Sequence, residues 1–530
     1  PFIVNDPGEA AQAKRRIGAV TLGHVPPPLK RAGATGRLAR LEALLDEFSN
    51  ADGLDPKRRD RLILDIRDEA EALGVAADLG LRPDACAAEA VTRIDRFVCD
   101  VKDSQFGDGL HVWGRPTPDQ TAFDAAASAT AERAALLDAL TGRRVAPGPA
   151  GSPYRGRRDV LPTGRNLYSV DPRGAPTRSA HAQGVKLAEE LVRRHLQDEG
   201  DWPRGLIVDL WGSATMRTAG EEFAMALHLI GVKPVWDEGT ERVSGVEVLP
   251  IAMLDRPRID VTLRVSGLFR DVFPTLSALF AQAVRALAAR DEAPDWNPYV
   301  GQTGPRVYGP APGAFGAGLG ALLGDYDEGA RRAAGEAWLA ASAWALDGAE
   351  ARRDAAGLRA RVAEADAFVH VQDLPETDLL LAEDYAAHEA GFAAAKAAAG
   401  GRAALWHLDA TDPDRPRARA LTEEIARVVR ARAAHPGWIA GMRRHGFRGA
   451  AEIAATVENL AAFAHLADAV PAHLFDMMHD ATLGDAAVTA FMAEANPEAL
   501  AALRARFAAL HAAGLWRTRR NAIAAVLEDG

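Results

Sequence analysis

The sequence predicts a multi-domain chain that combines an α/β unit with all-α regions. Short apolar runs alternate with helical patterns between residues 205 and 289, which is the signature of a mostly parallel sheet covered on both faces. The regions on either side repeat Leu and Ala at helical spacing. The length, 530 residues, is too great for a single hydrophobic core.

The elements follow in order. Pro26-Pro27-Pro28 stops whatever precedes it. Residues 36 to 100 read as helical, with Leu38, Leu41, Leu44 and Leu45, then Leu62, Ile66 and Leu73, recurring on one face. Residues 120 to 142 form another Ala/Leu helix, and residues 143 to 160, rich in Gly, Pro and Arg, read as a connecting loop. Gly205 to Trp211 is a strand ending in a Gly/Ser/Thr loop, Gly212 to Thr218, before a helix through Phe223, Leu227 and Ile230. Gly231 to Val235, Val246 to Pro250 and Ile259 to Val265 are further strands, and a helix from about Phe273 to Ala289 closes the unit. Beyond about residue 330 the chain is Ala-rich and helical, as in Ala418, Leu421, Ile425, Val428 and Val429. The expected division is residues 1–142 mainly helical, 143–300 α/β and 301–530 mainly helical.

Composition excludes several classes. Apolar residues make up 48% and charged residues 25%, an ordinary globular balance. A net charge of -11 gives no basic footprint for nucleic acid. No apolar run approaches a membrane span. Cys86 and Cys99 stand in no CxxC pair and read as buried small hydrophobes in a reducing, cytoplasmic setting. No phosphate-cradling G-x-x-x-x-G-K-[ST] occurs. The glycines from Gly316 to Gly324 miss the dinucleotide fingerprint and suggest close helix packing instead. The chain opens on Pro1-Phe2-Ile3-Val4-Asn5, which reads like the interior of a longer protein.

Candidate chemistry sits in four places. Gly212 to Thr218 follows a strand's C-terminal end, where open α/β sheets bind ligands, and Arg217 offers a fork for a carboxylate. The alternative is that Arg217 pairs with Glu221 or Glu222. Arg165, Asn166 and Tyr168 bring three hydrogen-bonding roles to an irregular stretch. Arg270 and Asp271 either bind substrate or form an ion pair that fixes their own loop. The fourth place, His370 to Asp378 followed by Glu383 to Glu389, concentrates carboxylates and imidazoles that suit a borderline divalent ion and accept protons near neutral pH. The alternative there is a solvated face. Asp373, Asp384, His388 and Glu389 are the candidate catalytic groups, with His388 and Glu389 the candidate metal contacts. His407, Asp409 and Asp412 form a looser second cluster.

Several runs, taken in order, resemble one family. They are Asn5 to Arg16, Asp108 to Gly114, Leu161-Pro162-Thr163-Gly164-Arg165-Asn166-Leu167-Tyr168-Ser169-Val170-Asp171, Trp211 to Glu222, Arg258 to Asp271, Arg306 to Gly309, Pro312 to Leu319, Gln372 to Leu380 and Arg427 to Arg432. Together they resemble the large subunit of cobaltochelatase (the CobN type), in its C-terminal portion, and more distantly the H subunit of magnesium chelatase. The resemblance implies a tetrapyrrole-binding subunit that inserts Co2+, its substrate ion, into hydrogenobyrinic acid a,c-diamide on the aerobic route to cobalamin. It implies that AAA+ partner subunits of the CobS/CobT type, not this chain, bind ATP with Mg2+. The alternatives are an H-type subunit inserting Mg2+ into protoporphyrin IX, or a non-catalytic tetrapyrrole carrier. Two departures stand out: Ala219-Gly220-Glu221-Glu222 where the family often has a Gly pair before its acidic pair, and Leu374 to Asp378 where Asn-rich polar residues are expected.

Overall fold

A computed structural model describes residues 13–14, 17–51, 55–116, 122–168, 171–302, 304–518, 520 and 523. The run Asn5 to Arg16 lies almost wholly outside them, as do Ser169 and Val170. The chain forms two compact units that interleave along the sequence. One comprises residues 1–26, 111–374 and 387–420, the other 27–110, 375–386 and 421–530.

The first unit is built on an eight-stranded sheet. Its strands are β1 (Gly205–Leu210), β2 (Asp260–Val265), β3 (Val307–Gly309), β4 (Trp344–Asp347), β5 (Glu350–Arg353), β6 (Ala367–Gln372), β7 (Ala404–Asp409) and β8 (Arg417–Ala420). The order is β5-β4-β3-β2-β1-β6-β7-β8. The run from β3 to β7 is parallel, and β4, β5 and β8 add antiparallel edges.

The α/β class holds, but the sheet continues to residue 420, inside the region expected to be helical. The cause is that Ala367–Gln372 is buried at every position. A short apolar run buried on both faces carries no period that separates strand from helix. Two expected strands also fall outside this sheet: Val232–Trp236 and Val243–Val248 pair only with each other, antiparallel. The expected loop Gly212–Thr218 is a helix. It is separated from Glu221–Leu229 by Ala219 and Gly220, which take left-handed φ values of 56° and 95°.

One sheet face is apolar across its central strands. Leu206, Val208 and Leu210 of β1, Val261, Leu263 and Val265 of β2, and Val369 of β6 pack with Leu187, Leu191, Phe223, Leu227, Phe280 and their neighbours from three covering helices. In the glycine run expected to mark close packing, a Cβ on Gly318 would stand 2.9 Å from the Ala341 Cβ.

The second unit is helical, apart from a two-stranded pairing of Leu29–Arg31 with Gln105–Gly107. Its helices include Arg37–Ala51, Pro56–Ala72, Ala87–Asp103 and Gly446–Ala467. Both cysteines are exposed rather than buried. Cys86 caps the helix Ala87–Asp103, its Sγ accepting from the Glu89 amide, and Cys99 lies on that helix's outer face, opposite Ile94 and Val101. Among the described residues no helix is long and apolar enough to cross a membrane.

Candidate functional site

The other face of the sheet carries charge. Arg264 of β2, Asp209 of β1, His370 of β6 and His407 of β7 are register partners across four adjacent parallel strands. Register partners in a parallel sheet project to the same side, so these residues form one polar row. They are all but inaccessible, at 0%, 2%, 2% and 0% exposure. Burying ionisable groups is costly unless each is paired, and each of these is. The Asp209 Oδ1 accepts from Arg264 Nη1 at 3.2 Å, and Oδ2 accepts from Trp211 Nε1 at 2.7 Å. The same oxygen lies 2.8 Å from His388 Nδ1 and 3.1 Å from His370 Nδ1. Burial opposes ionisation of Asp209, but His388, His370 and Arg264 outweigh it and hold the carboxyl well below its usual range.

His388 and Glu389 enter this row from a π-helical turn, Ala386–Ala390. Such turns are frequent at functional sites. Neither residue lies on a solvated face: they are 4% and 1% exposed. They separate as adjacent helical residues must. His388 reaches Asp209, whereas Glu389 Oε1 lies 3.0 Å from His407 Nδ1. The other His407 nitrogen, Nε2, lies 2.9 Å from Gln372 Oε1, while the Gln372 amide nitrogen donates to the Leu374 carbonyl. Glu389, His407 and Gln372 thus form one buried hydrogen-bonded chain. The second Glu389 oxygen, Oε2, is buried without a hydrogen-bond partner among the described residues. Also among those residues, no three His, Cys, Asp or Glu side chains converge as a metal site.

A second group sits where β1 and β6 lie side by side. The chain leaves β1 toward β2 on one side and leaves β6 toward β7 on the other. Such a reversal is the switch point at which open α/β sheets bind ligands. Arg217, just past β1, makes a two-pronged ion pair with Asp373, just past β6, at 2.7 and 2.8 Å. The Arg217 fork thus closes on Asp373, a partner that the sequence alternative did not include. Arg155, which no sequence pattern singles out, grips both Glu221 oxygens at 2.8 and 2.9 Å and donates to the Asp373 carbonyl at 3.2 Å.

Beneath this quartet, Glu222 bonds Thr215 at 2.6 Å and Thr218 at 2.9 Å. Burial raises its pKa from 4.5 to about 7. Between these two values the folded chain keeps a proton that the unfolded chain has released, so stability falls as pH rises through that window and levels off above it. The expected loss is on the order of 3 kcal/mol. Glu222→Gln should flatten this slope and raise stability at pH 8, as read from urea midpoints at pH 5 and pH 8. An unchanged slope in the variant would assign the effect elsewhere.

The remaining candidates make local contacts. Arg165 donates to the carbonyls of Asp159 and Leu161. Asn166 Oδ1 accepts from the Thr21 amide at 3.2 Å and from Lys14 Nζ. Tyr168 is 55% exposed. Arg270 donates to the carbonyls of Pro310, Ala311 and Ala314 and pairs with Asp271 at 2.8 Å, which ties down its own surroundings. Asp384 is exposed and belongs to the other unit.

Glu132 likewise carries no signal in the sequence. This fully buried carboxylate accepts from the amides of Val25 and Gly114 at 2.8 and 2.9 Å and from Thr163 Oγ1 at 2.7 Å. It thereby fastens two of the quoted family runs to each other. Gly164, at φ 81°, lies so close to the helix bearing Glu132 that a Cβ would stand 2.5 Å from the Ala131 backbone.

The family model described as CobN/Magnesium Chelatase matches residues 1–127 and 120–523. The chain belongs to that family. It is similar to the aerobic cobaltochelatase subunit CobN of Sinorhizobium sp, at 37% identity over 98% of the chain and 52% of the relative. The magnesium-chelatase H subunit of Cereibacter sphaeroides is 28% identical over 99% of the chain and 45% of the relative. Among solved structures, the catalytic subunit of cobaltochelatase from Mycobacterium tuberculosis superposes with a TM-score of 0.92 at 33% identity, covering 100% of this chain and 54% of that one. The chain thus spans about half the length of these relatives.

Proposed function

We propose that this chain is the part of an ATP-dependent cobaltochelatase large subunit that handles the tetrapyrrole and its protons. The whole subunit would insert Co2+ into hydrogenobyrinic acid a,c-diamide in the cytoplasm, with AAA+ partners of the CobS/CobT type hydrolysing ATP with Mg2+. One observation carries the choice of metal: likeness along nearly the whole chain is higher to the cobalt relative, at 37%, than to the magnesium relative, at 28%.

Insertion exchanges two pyrrolic protons for one Co2+, so the site must strip water from the ion and accept protons. Glu389 Oε2 is the acceptor on this reading. His407 holds the Glu389 carboxyl through Oε1, which leaves Oε2 to take the proton, and Gln372 fixes the ring's orientation. Asp209 and Arg264 hold His388 at the same level. At the switch point, Arg217 and Arg155 exchange their internal carboxylates for those on the substrate's rim, with Arg165, Asn166 and Tyr168 on the approach.

The deciding experiment is metal insertion by the complete subunit with its partners, comparing Co2+ and Mg2+ on hydrogenobyrinic acid a,c-diamide and on protoporphyrin IX. Cobalt insertion into the former is expected. Magnesium insertion into the latter selects the H-type alternative, and neither activity, with substrate still bound, selects a carrier. Arg217→Ala should weaken tetrapyrrole binding by about 1–3 kcal/mol, through loss of a charged hydrogen bond. Arg217→Lys, which keeps the charge but not the fork, should recover only part of that. Equal binding by all three proteins in a fluorescence titration removes Arg217 from the substrate site.

A further inference from the structure

The helical unit contains a cavity of about 350 Å3 that plays no part in the function proposed above. Its lining includes Arg37, Leu73, Arg430, His473, Met477 and Arg520. We propose that it binds a small oxyanion, a phosphate- or carboxylate-bearing molecule.

The inference rests on how the three guanidinium groups are used. Each is gripped on one side by a carboxylate and leaves donors over. Glu69 takes Arg37 through Nε and Nη2 at 3.0 and 2.9 Å. Asp480 takes Arg520 through Nη1. Asp78, itself 2% exposed, takes Arg430 through Nε and Nη2 at 3.2 and 2.5 Å, and the Leu73 carbonyl accepts from Nη2 at 2.8 Å. The Arg430 side chain is only 4% exposed, yet the one acceptor that Nη1 finds among the described residues is the Met477 thioether at 3.6 Å. Sulfur of this kind is a weak acceptor. A buried guanidinium nitrogen with so poor a partner, beside a cavity lined by two more guanidinium groups, suits an oxyanion.

The site is also built. His473 Nε2 lies 2.7 Å from Asp78 Oδ1, and its ring occupies the space that a side chain at residue 74 would fill. A Cβ on Gly74, at φ 76°, would stand 2.5 Å from that ring. Asp476 also lines the cavity, with its Oδ1 engaged by Trp516 Nε1 at 3.0 Å. The charges nearly balance without ligand, so an anion is held by forks already in place rather than by a net field. Its binding should weaken with salt.

The test is titration of the full chain with inorganic phosphate, and separately with acetate, by calorimetry and thermal unfolding against sodium chloride at matched ionic strength. Saturable binding and a raised unfolding temperature are expected with at least one of the two, and which one responds identifies the ligand's anionic group. Arg520→Ala and Arg37→Ala remove exposed arms, so both variants should fold as the parent does in chloride and bind at least tenfold more weakly. Arg430→Met should abolish binding; if it does not fold, the two arm variants decide. A response equal to that of chloride, or undiminished in both arm variants, overturns the proposal.

Discussion

Asp209→Ala should cost the first unit about 3–5 kcal/mol, the range for removing one partner of a buried ion pair. Arg264 is fully buried, and Asp209 is its one carboxylate within ion-pair distance among the described residues. Its other polar contacts are His388 Nδ1 at 2.7 Å, Ser342 Oγ at 3.2 Å and the Gly316 carbonyl at 3.4 Å, none of which carries a negative charge. The substitution also takes an acceptor from Trp211 and a hydrogen-bond partner from His370 and His388. The measurement is a urea unfolding midpoint. The double variant Asp209→Leu with Arg264→Met should recover most of the loss, because it buries no unpaired charge. A single-variant loss below about 1 kcal/mol, or a double variant worse than the single, would show that the pair is not what holds these strands together.

The same residues show what the sequence could and could not disclose. β1 and β2 were legible because apolar runs of strand length are followed by helical patterns. β6 and β7 were not, because an apolar run in Ala-rich surroundings fits strand and helix alike. Arg217 was legible by position, just past a strand's end, but its partner Asp373 lies 156 residues further on, and only the fold joins them. Arg270 is likewise legible by position, but the backbone carbonyls it donates to lie 40 to 44 residues away and only the fold brings them to it.

The dense run of acids and imidazoles around His388 includes His388 and Glu389, which the fold buries. Its counterparts on the sheet were present in the sequence as a subtler signal. Each apolar strand run is interrupted near its C-terminal end by an ionisable residue: Asp209 in Leu206 to Leu210, Arg264 in Val261 to Val265, His370 in Ala367 to Val371 and His407 in Leu405 to Leu408. Such a residue is expensive in a strand buried on both faces. Four of them at similar depth in four strands are a pattern that can be aligned as a row by eye. What no sequence pattern supplies is the register that puts them level, or the turn that lowers Glu389 onto His407.

Glu389→Gln should leave folding and tetrapyrrole binding intact and slow cobalt insertion by about 10²–10⁴-fold, the range for loss of a general acid–base group. The amide can still offer an oxygen to His407 Nδ1, so the 3.0 Å contact survives. What it loses is the second carboxylate oxygen, Oε2, the buried atom that has no hydrogen-bond partner among the described residues. It also loses the negative charge that Glu389 can place beside the His407 ring. A proton leaving the macrocycle then has nowhere to go. Two readouts separate this role from a merely structural one. The urea midpoint of Glu389→Gln should match that of the parent, and its tetrapyrrole affinity should stay unchanged while the insertion rate falls. His407→Gln should reproduce the slow rate, since it breaks the same pair from the other side. Parental insertion rates for Glu389→Gln, at saturating Co2+ with intact partner subunits, would show that the pair only holds the π-turn against β7 and that the pyrrolic protons leave by another route.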